Sequence, residues 1–213
     1  MGKMELILIR HGETDWNKDG VFRGQMDVKL NAMGIAQADA TANALASKVF
    51  EAIYTSPLKR ALVTARRIAK PHEMVERVDN GLMDISFGRF QGLTEAEVTS
   101  RYPGQLKVWK ENPGKAKFPG GESVKKAWKR INSSLREILV VHGYGTVVIV
   151  SHRVPIKMMT AYLLGKDRYS IGEIKHDHCA ISVFEIDGRD YEPIVLNDSG
   201  HLSKLGVLDK KDF

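Results

Sequence analysis

Residues 4–17 read "MELILIRHGETDWN". Leu6, Ile7, Leu8 and Ile9 form a short apolar run, the pattern of a buried strand. Arg10 and His11 follow with no turn or spacer, and then Gly12 and Glu13. A strand built only for stability would end in solvated, flexible residues. A guanidinium and an imidazole delivered straight from the core are there to hold something.

The same arrangement recurs further along the chain. "EAIYT" (51–55) reads as a strand leading into "SPLKRALVTARRIAK", with Ser56 as helix N-cap, Pro57 at the first helical position and Arg60 in the first turn. Leu58, Leu62, Ala65 and Ala69 form its apolar stripe. "TVVIV" (146–150) is a near-continuous β-branched run, as in strands buried on both faces. It leads into Ser151 and His152 and then a helix, "VPIKMMTAYLLG", closed by Gly165. Asn31 is placed to cap an Ala-rich helix. Val124, Ala127, Trp128, Ile131, Leu135 and Ile138 mark a long amphipathic helix, and "AISVFEI" and "EPIVL" around "DGRD" read as a hairpin or two neighbouring strands. The alternation predicts a three-layer α/β/α sandwich with a mostly parallel central sheet.

In open α/β sheets, ligands bind beyond the carboxyl ends of the strands. Arg10, His11, Arg60 and His152 all fall at such ends, beside helix N-termini that add backbone N–H donors. Two arginines and two histidines converging on one spot suit a compact, multiply charged anion, and phosphate fits best.

The composition limits the alternatives. With 213 residues, 43% hydrophobic and 27% charged, the chain has the makings of one sizeable domain. No apolar stretch approaches the ~20 residues of a membrane span, and the N-terminus lacks a signal peptide's apolar core, so no membrane association is expected. A single cysteine, Cys179, rules out an internal disulfide and points to the cytoplasm. The net charge is +6, but Lys125-Lys126 and Arg66-Arg67 lie on helical patterns with acids nearby. No nucleic-acid motif accompanies them, and no nucleic-acid partner is expected. Dinucleotide, P-loop and nucleophile-elbow motifs are absent. His176 and His178 lie two apart and would share a strand face, as metal ligands can, with His152 or His201 to complete a site. A polar loop leading into the next strand is the favoured reading, and no metal or other cofactor is expected.

"LIRHGETDWN", "TSPLKRALVTA", "GRFQGLT", "FPGGES", "VIVSHRVPI" and "LNDSGHL" occur in that order along the chain. Together they resemble the histidine phosphatase superfamily, in its phosphoglycerate-mutase-like branch. The resemblance implies one domain over residues 1–213, a phosphoglycerate-mutase-like fold, and His11 as a nucleophile that becomes phosphohistidine. It implies that Arg10, Arg60 and His152 grip the phosphoryl oxygens, with Asn17 adding a side-chain donor. Arg23 stands where the family often has a smaller or uncharged phosphate contact. Arginines would fill the role that magnesium has elsewhere.

The family's proton donor is a glutamate in an L-x-E-x-x-x-G segment. "LMDISFG" (82–88) places Asp84 there, one methylene shorter, with Glu122 as the reserve candidate. Arg153 stands where the family usually has an uncharged residue. It either reaches a substrate carboxylate or second phosphate, or turns away into an ion pair. By the same comparison, His201 either helps select an amino-acid phosphate or is a hydrogen-bonded structural residue.

Residues 84–122, rich in Gly and Pro, have the composition of a lid. The lengths and segments resemble the family's phosphatases, including metal-independent phosphoserine phosphatases. The expected activity is hydrolysis of a small phosphorylated metabolite, with a cofactor-dependent phosphoglycerate mutase as the alternative. A catalytically silent phosphate-binding protein is a third reading, supported only by the Asp84 substitution. A homodimer is implied by resemblance alone.

Overall fold

β1 (Met4–Arg10) lies inside a sheet whose strand order is β3-β2-β4-β1-β5-β6. The structure is a computed structural model that describes residues 2–205, and the structural statements below concern those residues. The other strands are β2 (Ala52–Thr55), β3 (Arg77–Val78), β4 (Gly145–Ser151), β5 (Ile181–Asp187) and β6 (Asp190–Asp198). β1, β2, β3 and β4 run parallel. β5 and β6 form an antiparallel hairpin beside β1, turning at Gly188, whose φ of +61° favours glycine.

Period-two alternation divides β1 between two cores. Leu6 and Leu8, with Val147 and Ile149 of β4, join a core that also holds Ile131 and Leu135 of α6 (Val124–Val141) and Met158 and Met159 of α7 (Arg153–Leu163). Ile7 and Ile9, with Val148 and Val150, face Ala42 and Leu45 of α2 (Ala32–Leu45) and Ala61, Ala65 and Ile68 of α3 (Lys59–Ala69). Helices on both faces of a mostly parallel sheet give the expected α/β/α sandwich. The remaining helices are the single turn α1 (Asp15–Lys18), α4 (Glu95–Arg101) and α5 (Pro103–Glu111).

Asn31 caps α2, accepting from Gly34 N at 2.8 Å. The start of α3 differs from the sequence expectation, because its cap is Leu58 and not Ser56. A residue preceding proline is driven towards extended backbone. Ser56 accordingly stays on the sheet, donating its N–H to Val150 O at 3.2 Å. The stripe of α3 is also rotated: Arg60, Ala61, Thr64, Ala65 and Ile68 are buried while Leu62 is only half-buried. The helix is rolled so that Arg60 lies inward.

Between Asp84 and Glu122 the chain leaves the sheet and returns. Ser86 and Glu122 tie the two ends, with Glu122 N donating to Ser86 O and Ser86 N to Glu122 Oε2, both at 2.9 Å. Phe87 and Phe90 from this excursion each pack edge-to-face on Phe118 and Phe22, and Phe87 also on Trp109. Their cluster is continuous with the core that holds Leu6 and Leu8.

A close backbone crossing fixes the loop after β1. A Cβ on Gly12 would lie 2.3 Å from Gly34 O, and one on Gly34 would lie 2.1 Å from Glu13 O. Only two glycines allow the loop to rest against the first turn of α2. On the other side of the loop, Cys179 N donates to Arg10 O at 3.0 Å, and the Cys179 thiol is buried with Ala38 and Leu202.

Candidate active site

Parallel pairing brings the carboxyl ends of β1, β2 and β4 to one edge. Arg10 pairs with Ser151 and Thr55 with Val150. His11 N extends the ladder by donating to Ser151 O at 2.9 Å. His11, Ser56 and His152 therefore stand on adjacent strand ends.

The His11 ring is buried, and its Nδ1 lies 2.6 Å from Gly12 O. A carbonyl only accepts, so Nδ1 carries the proton and Nε2 presents its lone pair. Burial, followed by the charges of Arg60 and Arg10, holds this imidazole well below the ordinary histidine range. His152 lies 5.1 Å away, ring centroid to centroid, at 61°. Its Nε2 is 2.8 Å from Ser56 Oγ, while its buried Nδ1 has no hydrogen-bond partner among the described residues. Burial and then Arg60 depress its proton affinity in the same way.

Arg60 sits in the first turn of α3 with every arm directed. Its Nε donates to His11 Nε2 at 3.2 Å, Nη1 to Met26 O at 2.8 Å and Nη2 to Gly24 O at 2.7 Å. Arg10 donates from Nη1 to His176 O at 3.0 Å, and its Nη2 lies 2.6 Å from His178 Nε2. Since a guanidinium only donates, His178 accepts through Nε2 and is neutral. His176 and His178 lie in the loop that leads into β5, as the sequence suggested, but the loop is turned inward. Both are buried, and burial with the Arg10 charge pushes His176 down to about 3 and His178 well below the usual range. Arg23 is buried as well, and burial followed by the Arg60 charge lowers it to about 9. These cations oppose one another's charge, so the cluster gains from a dianion among them.

Asp84 faces this cluster. Its Oδ1 accepts from Ile85 N at 3.0 Å, and Oδ2 lies 3.4 Å from Arg60 Nη2. Burial raises its carboxyl pKa against the opposing pull of Arg60 and Arg23, so desolvation wins. Asp84, His11, Arg23, Gly24, Phe87 and Arg153 line one cavity. Arg153 is lowered to about 10 by burial, with Asp84 opposing. The structure thus places Arg153 on the wall of this cavity.

The reserve acid, Glu122, is engaged elsewhere. Arg130 of α6 holds both its oxygens, Nε to Oε1 at 3.0 Å and Nη2 to Oε2 at 2.8 Å. The same guanidinium donates to Gly81 O, Met83 O and Asp84 O at 2.8, 2.9 and 3.2 Å. It clamps the backbone that carries Asp84. Asn17 is buried, and its Oδ1 accepts from Thr14 N and Thr14 Oγ1 at 2.9 and 2.7 Å. His201 is outside the cavity lining, with its Nε2 3.0 Å from Thr41 Oγ1. This contact is the kind the structural reading of His201 calls for.

Ser56, His178 and Arg130 are site elements that sequence reasoning missed. Ser56 read as a helix cap, and nothing in the sequence singled out Arg130. The two-residue spacing of His176 and His178 was the visible signal, but it suggested a metal face and not a cradle for Arg10.

Comparison with known proteins agrees with this geometry. The model of the histidine phosphatase superfamily (branch 1) matches residues 6–199. Phosphoserine phosphatase 1 of Hydrogenobacter thermophilus is 34% identical over 204 residues, covering 96% of this chain and 97% of its own. Among solved structures, a phosphoserine phosphatase variant from Entamoeba histolytica in complex with phosphoserine superposes with a TM-score of 0.84 at 30% identity, covering 93% of this chain and 99% of that one. The alpha-ribazole phosphatase from Shigella flexneri gives a TM-score of 0.85 at 26% identity, covering 92% and 96%.

Proposed function

The chain belongs to the histidine phosphatase superfamily, and from that membership we propose that it hydrolyses small phosphomonoesters through a phosphohistidine on His11. The observation that carries this reading is the neutral His11, with its proton on the Gly12 side and its Nε2 lone pair turned to Arg60. Nε2 attacks phosphorus, and the ester P–O bond breaks. Arg10, Arg23, Arg60, Asn17 and the unpartnered Nδ1 of His152 take up the phosphoryl oxygens, whose charge the cations stabilise. Arg60 gives up its bond to Nε2 as the P–N bond forms. Asp84, whose carboxyl burial shifts towards the protonated form, gives its proton to the leaving alkoxide. As a carboxylate it then takes a proton from water, which attacks phosphorus. Breaking the P–N bond returns neutral His11 and releases inorganic phosphate.

The relatives favour water over a second hydroxyl as acceptor, so hydrolysis replaces the mutase alternative. The phosphorylated acid phosphoserine is the natural first substrate to assay. The excursion from residue 84 to 122 walls the cavity through Phe87 and serves as its specificity cover. The chain works as one catalytic domain over 1–213, of which Met1 and residues 206–213 lie outside the described residues. The buried free thiol of Cys179 suits a reducing cytoplasm. No helix among the described residues is long and apolar enough to cross a membrane. Exposed Ile194, Val195 and Leu196 on the edge strand β6 support pairing with a second copy, which sedimentation of the wild type and Ile194→Lys would test.

Acid-stable and acid-labile phosphate on the quenched enzyme decide the chemistry. Wild type incubated with a phosphomonoester should carry acid-labile, base-stable phosphate that is absent from His11→Ala, and should release inorganic phosphate in the presence of chelator. Interconversion of 2- and 3-phosphoglycerate faster than phosphate release would reject hydrolysis. Lack of any phosphoenzyme would reject the nucleophile.

A further inference from the structure

Beside the cavity at His11 is a second one, of about 180 Å³, and the two share Arg153 and Val154. Its walls include Trp109 and Pro113 from the excursion, Ile171 from the turn after α7, and Lys157 and Lys110. It is therefore apolar in body, with cations at chosen points, as sites for small organic ligands are.

The charges are one-sided. Among the described residues, Arg153, Lys157 and Lys110 line this cavity and no carboxylate does. Lys110 has a counter-ion in Glu95. Arg153 and Lys157 lie four residues apart on α7, so both project from one helix face, ~6 Å apart at Cβ. Such like-charged pairs are destabilising by themselves. Arg10 adds its charge, His176 is neutral, and Asp84 faces Arg153 from the phosphate side. Burial, then Arg153 and Arg10, push the Lys157 amine down to about 7. In an otherwise apolar stretch, "VPIKMMTAYLL", this lysine is the one charged residue after Arg153.

We propose that this second cavity receives the leaving alcohol of the substrate, and that Lys157 and Arg153 together select alcohols bearing a carboxylate. The inference rests on the phosphatase reading of the neighbouring cavity. Trp109, Pro113 and Ile171 cover the carbon skeleton, and the carboxylate lies between two cations that otherwise repel. Its arrival favours the protonated amine, so binding takes up a proton where Lys157 was neutral.

The test compares 3-phosphoglycerate with glycerol 3-phosphate, which share a skeleton and differ by carboxylate against hydroxymethyl. Wild type should favour the acid in kcat/KM. In Lys157→Met the ratio of the two kcat/KM values should fall about tenfold or more, the size of one lost charge-assisted contact. A ratio is independent of the fraction of enzyme that folds. Lys157→Arg should restore most of the preference. The wild-type ratio should decline above about pH 7 as the amine loses its proton, whereas in Lys157→Arg it should stay flat. An unchanged ratio in Lys157→Met, with both esters hydrolysed, would overturn this inference alone. Failure to hydrolyse either ester or p-nitrophenyl phosphate would overturn the phosphatase reading, and this inference with it.

Discussion

Arg60 Nε stands 3.2 Å from His11 Nε2, so the guanidinium proposed to hold the phosphoryl oxygens also points at the proposed nucleophile. Its other arms are spent on Gly24 O and Met26 O, which fix it in that pose. Orientation and charge therefore come from one side chain.

Arg60→Lys should show how much depends on that planar fork. A lysine keeps the charge but cannot meet His11, Gly24 and Met26 together. We expect phosphoenzyme formation, measured by rapid quench, to slow by about 10²–10³-fold, the scale of losing an oriented transition-state donor. A loss below about threefold would mean that charge alone suffices.

Asp84→Asn should act through the leaving group. For alkyl esters kcat/KM should fall by about 10²–10⁴-fold, because the alkoxide needs a proton. For p-nitrophenyl phosphate the loss should be far smaller, since p-nitrophenolate leaves unprotonated. Equal losses on both would remove Asp84 from the acid role.

Arg130→Met should give a weaker form of the same pattern. Of the hydrogen-bond partners of Arg130, Asp84 alone lines the cavity, so the expected role of Arg130 is to position the proposed acid. A uniform loss across alkyl and aryl esters would show a general packing defect instead.

The strand pattern, the buried face of α6 and the groups Arg10, His11, Arg60 and His152 were legible from period two and period 3.6, whereas the face of α3 was not. Asp84 was legible only through the resemblance, since nothing local distinguishes it from Asp79 or Glu122. What the sequence hid was long-range pairing. Arg130 reaches the 81–84 backbone across about fifty residues, as does Ser56 towards His152 across 96. The His178 contact with Arg10 spans 168 positions, and no local periodicity records it. Ser56 was misread because the following proline makes an extended residue look like a helix cap.

Acid should destabilise the fold through its imidazoles. His11, His152 and His178 are held well below their ordinary value of 6.5 by burial and neighbouring arginines. Below about pH 6.5 the unfolded chain binds protons that the folded one refuses, so stability present above that pH is lost as it falls. Each group contributes up to about 1.4 kcal/mol per pH unit. Asp84 works oppositely, because its raised pKa favours the folded state at low pH and loses that contribution as pH rises. Three imidazoles outweigh one carboxyl, and urea unfolding should show a drop from pH 7 to 5. A flat profile would contradict the burial of neutral histidines.

Gly34→Ala should reverse the usual gain of alanine in a helix. Ordinarily that exchange stabilises by about 1 kcal/mol. Here the new Cβ would lie 2.1 Å from Glu13 O, a backbone atom that cannot rotate away. Thermal unfolding should show a net loss of about 1–3 kcal/mol, as for overpacked sites, with reduced turnover as the His11 loop is displaced. An increased melting temperature would refute the close crossing.

The Cys179 amide that holds Arg10 O belongs to the same residue whose thiol burial pushes up to about 12. At neutral pH that sulfur is protonated and enclosed, hence unreactive towards disulfide reagents. Labelling can proceed only when the segment opens, and opening releases the carbonyl of Arg10, the arginine proposed to hold phosphate. The chain thus contains its own chemical clock for the integrity of the anion cradle. Added inorganic phosphate should slow that clock in proportion to the fraction of enzyme it occupies.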